Sequence, residues 1–407
     1  VIAGLSRVKP IVPWASIAVV GLGLICFSGC DLHSYSKDMR YPVRDDVIVE
    51  KAPDVAPGFE QPGQLSFLLP SFTESGGQTL DPAKLNSEQR NAFQKTLDDM
   101  FGTPAEPTVK GIEADARILL KLDNDTLAKG SQLYRRHCLH CHGLAGGGNG
   151  PTAPWVNPHP RDYRPGRFKF ASTLGDISVK PTRHDLLRTL RQGIEGTSMP
   201  SFGLLPIEEL EALISYVIHL SVRGQVEYNV MLVVLKPDSD IKAPGDIISN
   251  LKDEFAGIVK DWQDAELKVM QVSAYALKKE DREQSVSRGY ELFLGKVKGA
   301  PGCISCHVDY GRQNSYKFDV WGTVVRPRDL TTGVYRGGRR PIDLYWRIRG
   351  GIKAGAMPES DIPPDKVWDL VNFVQALPYP QMLPEDIRHR IYGTERTGSG
   401  HGSARRE

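Results

Sequence analysis

His137–Gly143 reads "HCLHCHG". Two thiols and three imidazoles in seven residues form a ligand density that an ordinary surface helix has no use for. A sparser version, "CISCH", stands at Cys303–His307. What surrounds these two stretches decides the fold and tells which histidine has work to do.

Matched blocks accompany both stretches in the same order. "LAKGSQLYRR" from Leu127 pairs with "VSRGYELFLG" from Val286, each ahead of its C-x-x-C-H. "PRDYRPGRFK" from Pro160 pairs with "PRDLTTGVYR" from Pro327, and "DLLRTLRQGIEGTSMP" from Asp185 with "DLYWRIRGGIKAGAMP" from Asp343. "LPIEELEALISYVIHL" from Leu205 pairs with "IPPDKVWDLVNFVQAL" from Ile362. A repeat of this kind means two copies of one unit. Apolar residues at helical spacing make each copy mostly helical: Leu210, Leu213, Tyr216, Val217 and Leu220 in one closing helix, Val367, Leu370, Phe373, Val374 and Leu377 in the other. Gly130 and Gly289 recur at one offset, which predicts a close helix crossing where a side chain has no room.

The chemistry follows from the spacing. Two thiols two residues apart on a helical turn can each add to one haem vinyl group, and C-x-x-C-H reads as c-type haem attachment. Cys138 and Cys141 serve one group, Cys303 and Cys306 the other, and the adjacent His142 and His307 project under the iron. His137 and His140 then face the loop surface or the haem edge. Met199 and Met357 occupy matched positions in "TSMP" and "GAMP", 57 and 50 residues after those histidines. A thioether opposite an imidazole closes the sixth coordination position and raises the potential. A lone methionine is better explained by packing; two at equivalent positions read as ligands. Arg161 and Arg328 in the matched "PRD" blocks suit haem propionates, with Trp321 adding an N–H; ordinary pairing with Asp162 and Asp329 is the even alternative. Eight basic residues against two acidic ones between Arg326 and Lys353 make a solvated face or a surface that steers an acidic partner.

With these motifs in place, each repeat resembles a class I cytochrome c domain, and the whole resembles a dihaem cytochrome c lipoprotein of a bacterial respiratory chain. The resemblance covers roughly half the chain. It implies a small helical fold around each of two covalently bound haem c groups, and electron transfer as the activity. It also implies that a proline carbonyl accepts the ring N–H of His142, with Pro151 the candidate and Pro154 behind it. The second copy departs from the pattern. Val308 replaces the glycine after the histidine, no Gly-Pro follows, and six extra residues separate Gly289 from Cys303 relative to the first copy. His307 therefore needs another acceptor.

Other chemistries fit less well. A structural zinc site needs four ligands, but the two C-x-x-C pairs stand 162 residues apart in separate copies. No βαβ pattern supports a thioredoxin-like pair. A dihaem peroxidase needs an open iron, while both copies keep Met-Pro; a thiosulfate-oxidising enzyme with a cysteine axial ligand has no cysteine to use. These enzymes, and a haem subunit of a dehydrogenase, remain the alternative to an electron carrier without catalytic residues.

The chain has 407 residues, with Lys+Arg 51 against Asp+Glu 49, which argues against a nucleic-acid binder driven by bulk charge. The expected fold class is all-α. The expected organisation is a signal peptide with lipobox at 1–30, an extended tether with one short helix at 31–115, cytochrome c domain 1 at 116–222, an interdomain segment at 223–276, domain 2 at 277–380 and a disordered tail at 381–407. The helix is "SEQRNAFQKTLDDMF", with Phe93, Leu97 and Phe101 on one face, ended by Gly102 and Pro104. In the interdomain segment, "VEYNVMLVVL" is ambiguous between helix and strand, and a helix carries Ile247, Leu251, Phe255, Ile258 and Trp262. Arg7 and Lys9 precede an uncharged run from Ile11 to Cys30 that ends in "FSGC". This resembles a bacterial lipobox, with Phe27 where leucine is more usual; an uncleaved N-terminal helix is the alternative. Either places the protein on the periplasmic face of a bacterial membrane, between a quinol-oxidising complex or dehydrogenase and a terminal oxidase. Labelled fatty acid should enter the protein through Cys30, and a Cys30→Ala variant that still labels fully would remove the anchor.

Overall fold

The computed structural model describes residues 36, 38–53, 76–274, 281–297, 300, 302–313 and 315–393. The signal and lipobox residues, Cys30 included, lie outside them. The chain divides into Val1–Met39 and Arg40–Glu407. The second unit is mostly helical. In chain order its elements are β1 (Ile48–Lys51), β2 (Gln78–Leu80), α1 (Ser87–Phe101), α2 (Ala114–Leu120), α3 (Asn124–His137), α4 (Leu139–His142), α5 (Arg183–Gln192), α6 (Ile207–Val234), α7 (Pro244–Gln263), α8 (Arg282–Phe293), β3 (Lys317–Phe318), β4 (Val324–Val325), α9 (Pro341–Gly350), α10 (Pro364–Ala376) and α11 (Glu385–Tyr392). The strands form two short antiparallel pairs, β1 with β2 and β3 with β4.

Local chemistry sets the helix boundaries. Asn86 and Gln89 form a reciprocal capping box at the start of α1, and Gly102 ends it at φ 70°. Asp123 caps α3 by accepting from the Thr126 N–H. Thr182 and Asp185 cap α5 in the same reciprocal way. Pro244, Pro341 and Pro364 open α7, α9 and α10, where a missing N–H costs nothing.

Two apolar cores result. The first joins α1, α2, α3, α6 and α7 around Phe93, Leu97, Phe101, Tyr134, Leu213 and Tyr216. The second joins α8, α9, α10 and α11 around Phe293, Tyr345, Val367, Leu370 and Phe373. Corresponding helix pairs, α3 with α6 and α8 with α10, cross at the two matched glycines. A Cβ on Gly130 would overlap the Ala212 carbonyl and lie 2.8 Å from Tyr216 Cβ; one on Gly289 would overlap the Asp369 carbonyl and lie 2.7 Å from Phe373 Cβ.

Three segments differ from expectation. The closing helix of the first copy does not stop at residue 222: α6 runs 28 residues to Val234, so "VEYNVMLVVL" is helical. A buried Arg223–Glu227 pair at 3.2 Å bridges the boundary one helical turn apart, and no Pro interrupts the run. α7 then lays Ile247, Leu251, Phe255, Ile258 and Trp262 into the first core, so most of the presumed interdomain segment belongs to that body. Part of the presumed tether is also packed. Tyr41 is fully buried, its hydroxyl 2.7 Å from that of Tyr216, and the Arg44 N–H donates to Glu227 at 2.8 Å. At the other end, the first part of the expected disordered tail is ordered, because α11 buries Ile387 and Ile391 in the second core; residues 394–407 lie outside the described set.

This packing has two measurable consequences. Gly130→Ala and Gly289→Ala each lower stability by about 1–3 kcal/mol, the usual cost of overpacking; unchanged denaturation midpoints would mean that the helices stand further apart. His219 on α6 is fully buried, with Nε2 3.0 Å from Phe101 O and 3.1 Å from Thr108 O and with Nδ1 lacking a hydrogen-bond partner. Burial pushes its pKa from 6.5 down to about 4. The folded state therefore resists a proton that the unfolded state accepts. The stability that His219 contributes is present above pH 6.5 and lost as pH falls from 6.5 through 4, roughly 3 kcal/mol in all. Denaturation of His219→Gln across that range should show a flatter pH dependence than the wild type, and equal slopes would refute the assignment.

Candidate functional site

α3 delivers the first C-x-x-C-H to its place. Its last turn passes into Cys138, whose N–H donates to Tyr134 O at 2.8 Å, and the His142 N–H donates to Cys138 O at 2.8 Å. Gly143, at φ 71°, then turns the chain back. His142 Nδ1 lies 3.2 Å from Arg161 O. A carbonyl only accepts, so Nδ1 carries the proton and Nε2 keeps its lone pair for a ligand. Burial depresses the His142 pKa, and likewise that of His307. Both imidazoles are thus neutral near pH 7, the form that binds a metal.

The second C-x-x-C-H reproduces this arrangement on different scaffolding. The His307 N–H donates to Cys303 O at 2.9 Å, and His307 Nδ1 lies 3.2 Å from Arg328 O. The expectation that Pro151 or Pro154 accepts from His142 does not hold, while His307 does find another acceptor, as its missing Gly-Pro required. In both copies the carbonyl of the "PRD" arginine occupies that position. With Val308 in place of a glycine, Asp309 and Tyr310 take left-handed backbone at φ 50° and 59° instead.

The methionine loops are also built alike. Gly193 and Gly351, both at φ 66°, end α5 and α9. The Ile194 N–H donates to Met199 O at 3.1 Å, and the Ile352 N–H to Met357 O at 2.9 Å. Side chains at these glycines would sit 2.7 Å and 2.6 Å from the methionine carbonyls.

One continuous cavity of about 1860 Å³ is lined by Cys138, Cys141, His142 and Met199 together with Cys303, Cys306, His307 and Met357. A pocket for one drug-sized ligand is about 300–1,000 Å³, so this space suits two large groups. Burial pushes the Cys138 thiol up to about 12 and the Cys303 thiol up to about 11. Thiols so protonated are poor partners for disulfide exchange. Among the described residues no group of three His, Cys, Asp or Glu comes together to hold a metal ion, and the zinc alternative lacks its ligand set. Thiols, imidazoles and thioethers gathered on one cavity are the residue types that hold a covalently attached haem.

The cavity wall is cationic, with ten Lys and Arg side chains against four Asp and Glu. Arg328 Nε and Arg336 Nε are buried without a hydrogen-bond partner. Burial first, then Arg328 and Arg161, pull the Arg336 guanidinium below its usual pKa. Orphaned cations facing a cavity suit carboxylates such as haem propionates. Neither "PRD" arginine pairs with its neighbouring aspartate. Asp162 binds Arg164 at 2.9 Å and Arg44 at 3.1 Å, while Asp329 accepts from the Thr331 N–H. Arg161 reaches instead to Asp319 of the second copy at 3.5 Å and lies 3.8 Å above the Trp321 ring. Trp321 Nε1 donates to Asp162 O at 3.0 Å, so its N–H is already engaged and is not the propionate donor expected. Sequence reading missed Lys169, Arg336 and Asp319. Lys169 and Arg336 end the two matched "PRD" blocks, and that recurrence was a signal available; Asp319 has no counterpart in the first copy. His140 is exposed, and His137 packs against Phe202 with ring centroids 6.0 Å apart.

Residues 125–217 match the family model described as cytochrome c oxidase, cbb3-type, subunit III. No curated protein matches the sequence. Among solved structures, a chain of the reducing HAO-like protein complex Kustc0457/Kustc0458 of Kuenenia stuttgartiensis is similar at 22% identity, over 61% of this chain and 95% of that one, with a TM-score of 0.44. The α3–α4 attachment turn, the Met199 loop and the first half of α6 are therefore parts of a cytochrome c domain, which brings with it covalently bound haem and electron transfer.

Proposed function

We propose that the protein is a membrane-anchored dihaem c-type cytochrome that carries electrons in a respiratory chain. Cys138 and Cys141 would hold one haem c, with His142 and Met199 to ligate its iron; Cys303 and Cys306 would hold the other, with His307 and Met357. The observation that carries this reading is the single cavity onto which both C-x-x-C-H turns and both Met-Pro loops open.

When bound, each haem supplies one-electron cycling between ferric and ferrous iron. The chain's own residues do the rest. The carbonyls of Arg161 and Arg328 orient the two imidazoles, and the loops closed by Gly193 and Gly351 present the thioethers. Arg161, Arg328 and Arg336 line the cavity and would pair with the propionates. With an imidazole and a thioether from the chain for each iron, no position would be left for a substrate, which favours a carrier over a peroxidase. The carrier works on the periplasmic face of a bacterial membrane, held by lipid on Cys30. It takes electrons from a quinol-oxidising complex or dehydrogenase. The family model that matches 125–217 describes an oxidase subunit, which supports a haem–copper terminal oxidase as acceptor or as the complex that contains this chain.

Exported protein should carry two haems by mass, and a redox titration followed by visible absorption should resolve two transitions. Met199→Ala and Met357→Ala should each lower the potential of one transition and alter its spectrum, because the thioether favours ferrous iron. If neither variant changed the spectrum or the potentials, both axial assignments would fail.

A further inference from the structure

The cations around the cavity come as matched pairs, but their compensation is lopsided. The first copy contributes Arg161 and Lys169, the second Arg328 and Arg336, at equivalent places in the repeat. Asp319 is fully buried as a side chain and pairs with both cations of the first copy, Lys169 at 2.9 Å and Arg161 at 3.5 Å. It is held in place from its own side, accepting from the Trp321 N–H at 3.1 Å and the Thr323 N–H at 3.0 Å. Burial raises its pKa, but Lys169 and then Arg161 outweigh that and keep the carboxyl below its usual range, so it is ionised at neutral pH. Arg328 and Arg336 have no such partner for their buried Nε atoms.

We propose that Asp319, supplied by the second copy, is a positioning and potential-setting residue for the first haem site, and that it makes the first site the lower-potential one, so that electrons pass from the first site to the second. The inference rests on the two-haem reading above. Reduction lowers the positive charge at an iron by one unit. Nearby cations favour the reduced state and nearby anions oppose it, strongly so away from water. Asp319 cancels charge on Arg161, whose carbonyl orients His142, and on Lys169, while the Nε atoms of Arg328, whose carbonyl orients His307, and of Arg336 stay buried without a partner. Electrons run downhill toward the site of higher potential.

The test is a spectroelectrochemical titration of the full-length holoprotein at fixed pH, with haem content measured on each sample. Cys138→Ala/Cys141→Ala, which lacks the first attachment, assigns the transitions: only the upper one should remain. Asp319→Asn should raise the lower transition toward the upper one and move the upper one less. Lys169→Gln should move the lower transition further down, and it carries the test alone if Asp319→Asn does not fold. A loosened structure would shift both variants in one direction; opposite shifts mark a charge effect. The inference is overturned if the lower transition belongs to the second site, if neither variant moves it, or if both move it the same way. A wild-type sample with fewer than two haems would instead sink the two-haem reading itself.

Discussion

The close crossing of two helices in each copy is the constraint on which the rest depends. At Gly130 and Gly289 the partner helix's carbonyl oxygen occupies the space that a Cβ would need. That contact brings α3 against α6 and α8 against α10 with no side chain between them, which fixes where each first helix ends. The end of the helix is where the thiols and the histidine sit. A shift of the crossing by one side-chain diameter would carry His142 away from the Arg161 carbonyl, and with it the tautomer that leaves Nε2 free. Packing density in the core therefore sets ligand geometry in the cavity, as expected for side chains that interdigitate like a molecular crystal.

The two halves meet through polar groups more than through a shared apolar core. The two core clusters are separate. Between them run the Trp321–Asp162 hydrogen bond, the Asp319 bridges to Arg161 and Lys169, and a 3.8 Å approach of Arg188 to Asp343. Leu174 N–H to Lys268 O at 2.8 Å and Met270 N–H to Ser172 O at 2.9 Å add backbone links. Buried charge is costly unless it is paired. The cavity wall carries ten cations against four carboxylates, and Asp319, buried behind it, adds one more carboxylate to the cations of the first copy. The same electrostatics that recognise a cofactor thus also help to join the halves around it.

Much of the site was legible in the sequence because covalent chemistry imposes strict spacing. C-x-x-C-H, Met-Pro and the crossing glycines recur in order, and the end of α1 was readable from Gly102 and Pro104. What escaped depended on contacts between distant residues. Tyr41 is buried because a hydroxyl 175 residues away meets it, and no local pattern encodes that. The run after residue 222 lacked a breaker, yet its rows of valine and leucine suit either helix or strand; the register of Arg223 with Glu227 and the face offered to α7 resolve the choice. The arginines of the "PRD" blocks were read for their guanidinium groups, and their backbone carbonyls turned out to orient the histidines. A carbonyl is common to every residue, so sequence cannot single it out.

The second C-x-x-C-H turn reaches the same histidine–carbonyl geometry as the first with a different sequence. The first copy turns after its histidine on Gly143, which takes positive φ without strain. The second has lost that glycine, and two residues with side chains, Asp309 and Tyr310, occupy left-handed backbone in its stead. Such conformations cost on the order of 1–3 kcal/mol each and persist only where the surroundings enforce them. The enforcement is visible in the packing. Gly311 sits so tightly against Arg328 that any side chain would overlap the Arg328 carbonyl, the same group that accepts from His307. Tyr310 stacks on Phe293, ring centroids 5.6 Å apart, and Arg312 reaches back to Asp309. Strained backbone, aromatic stacking and an ion pair stand where the first copy has one glycine, and the adjoining Gly311 packs on the carbonyl that accepts from His307.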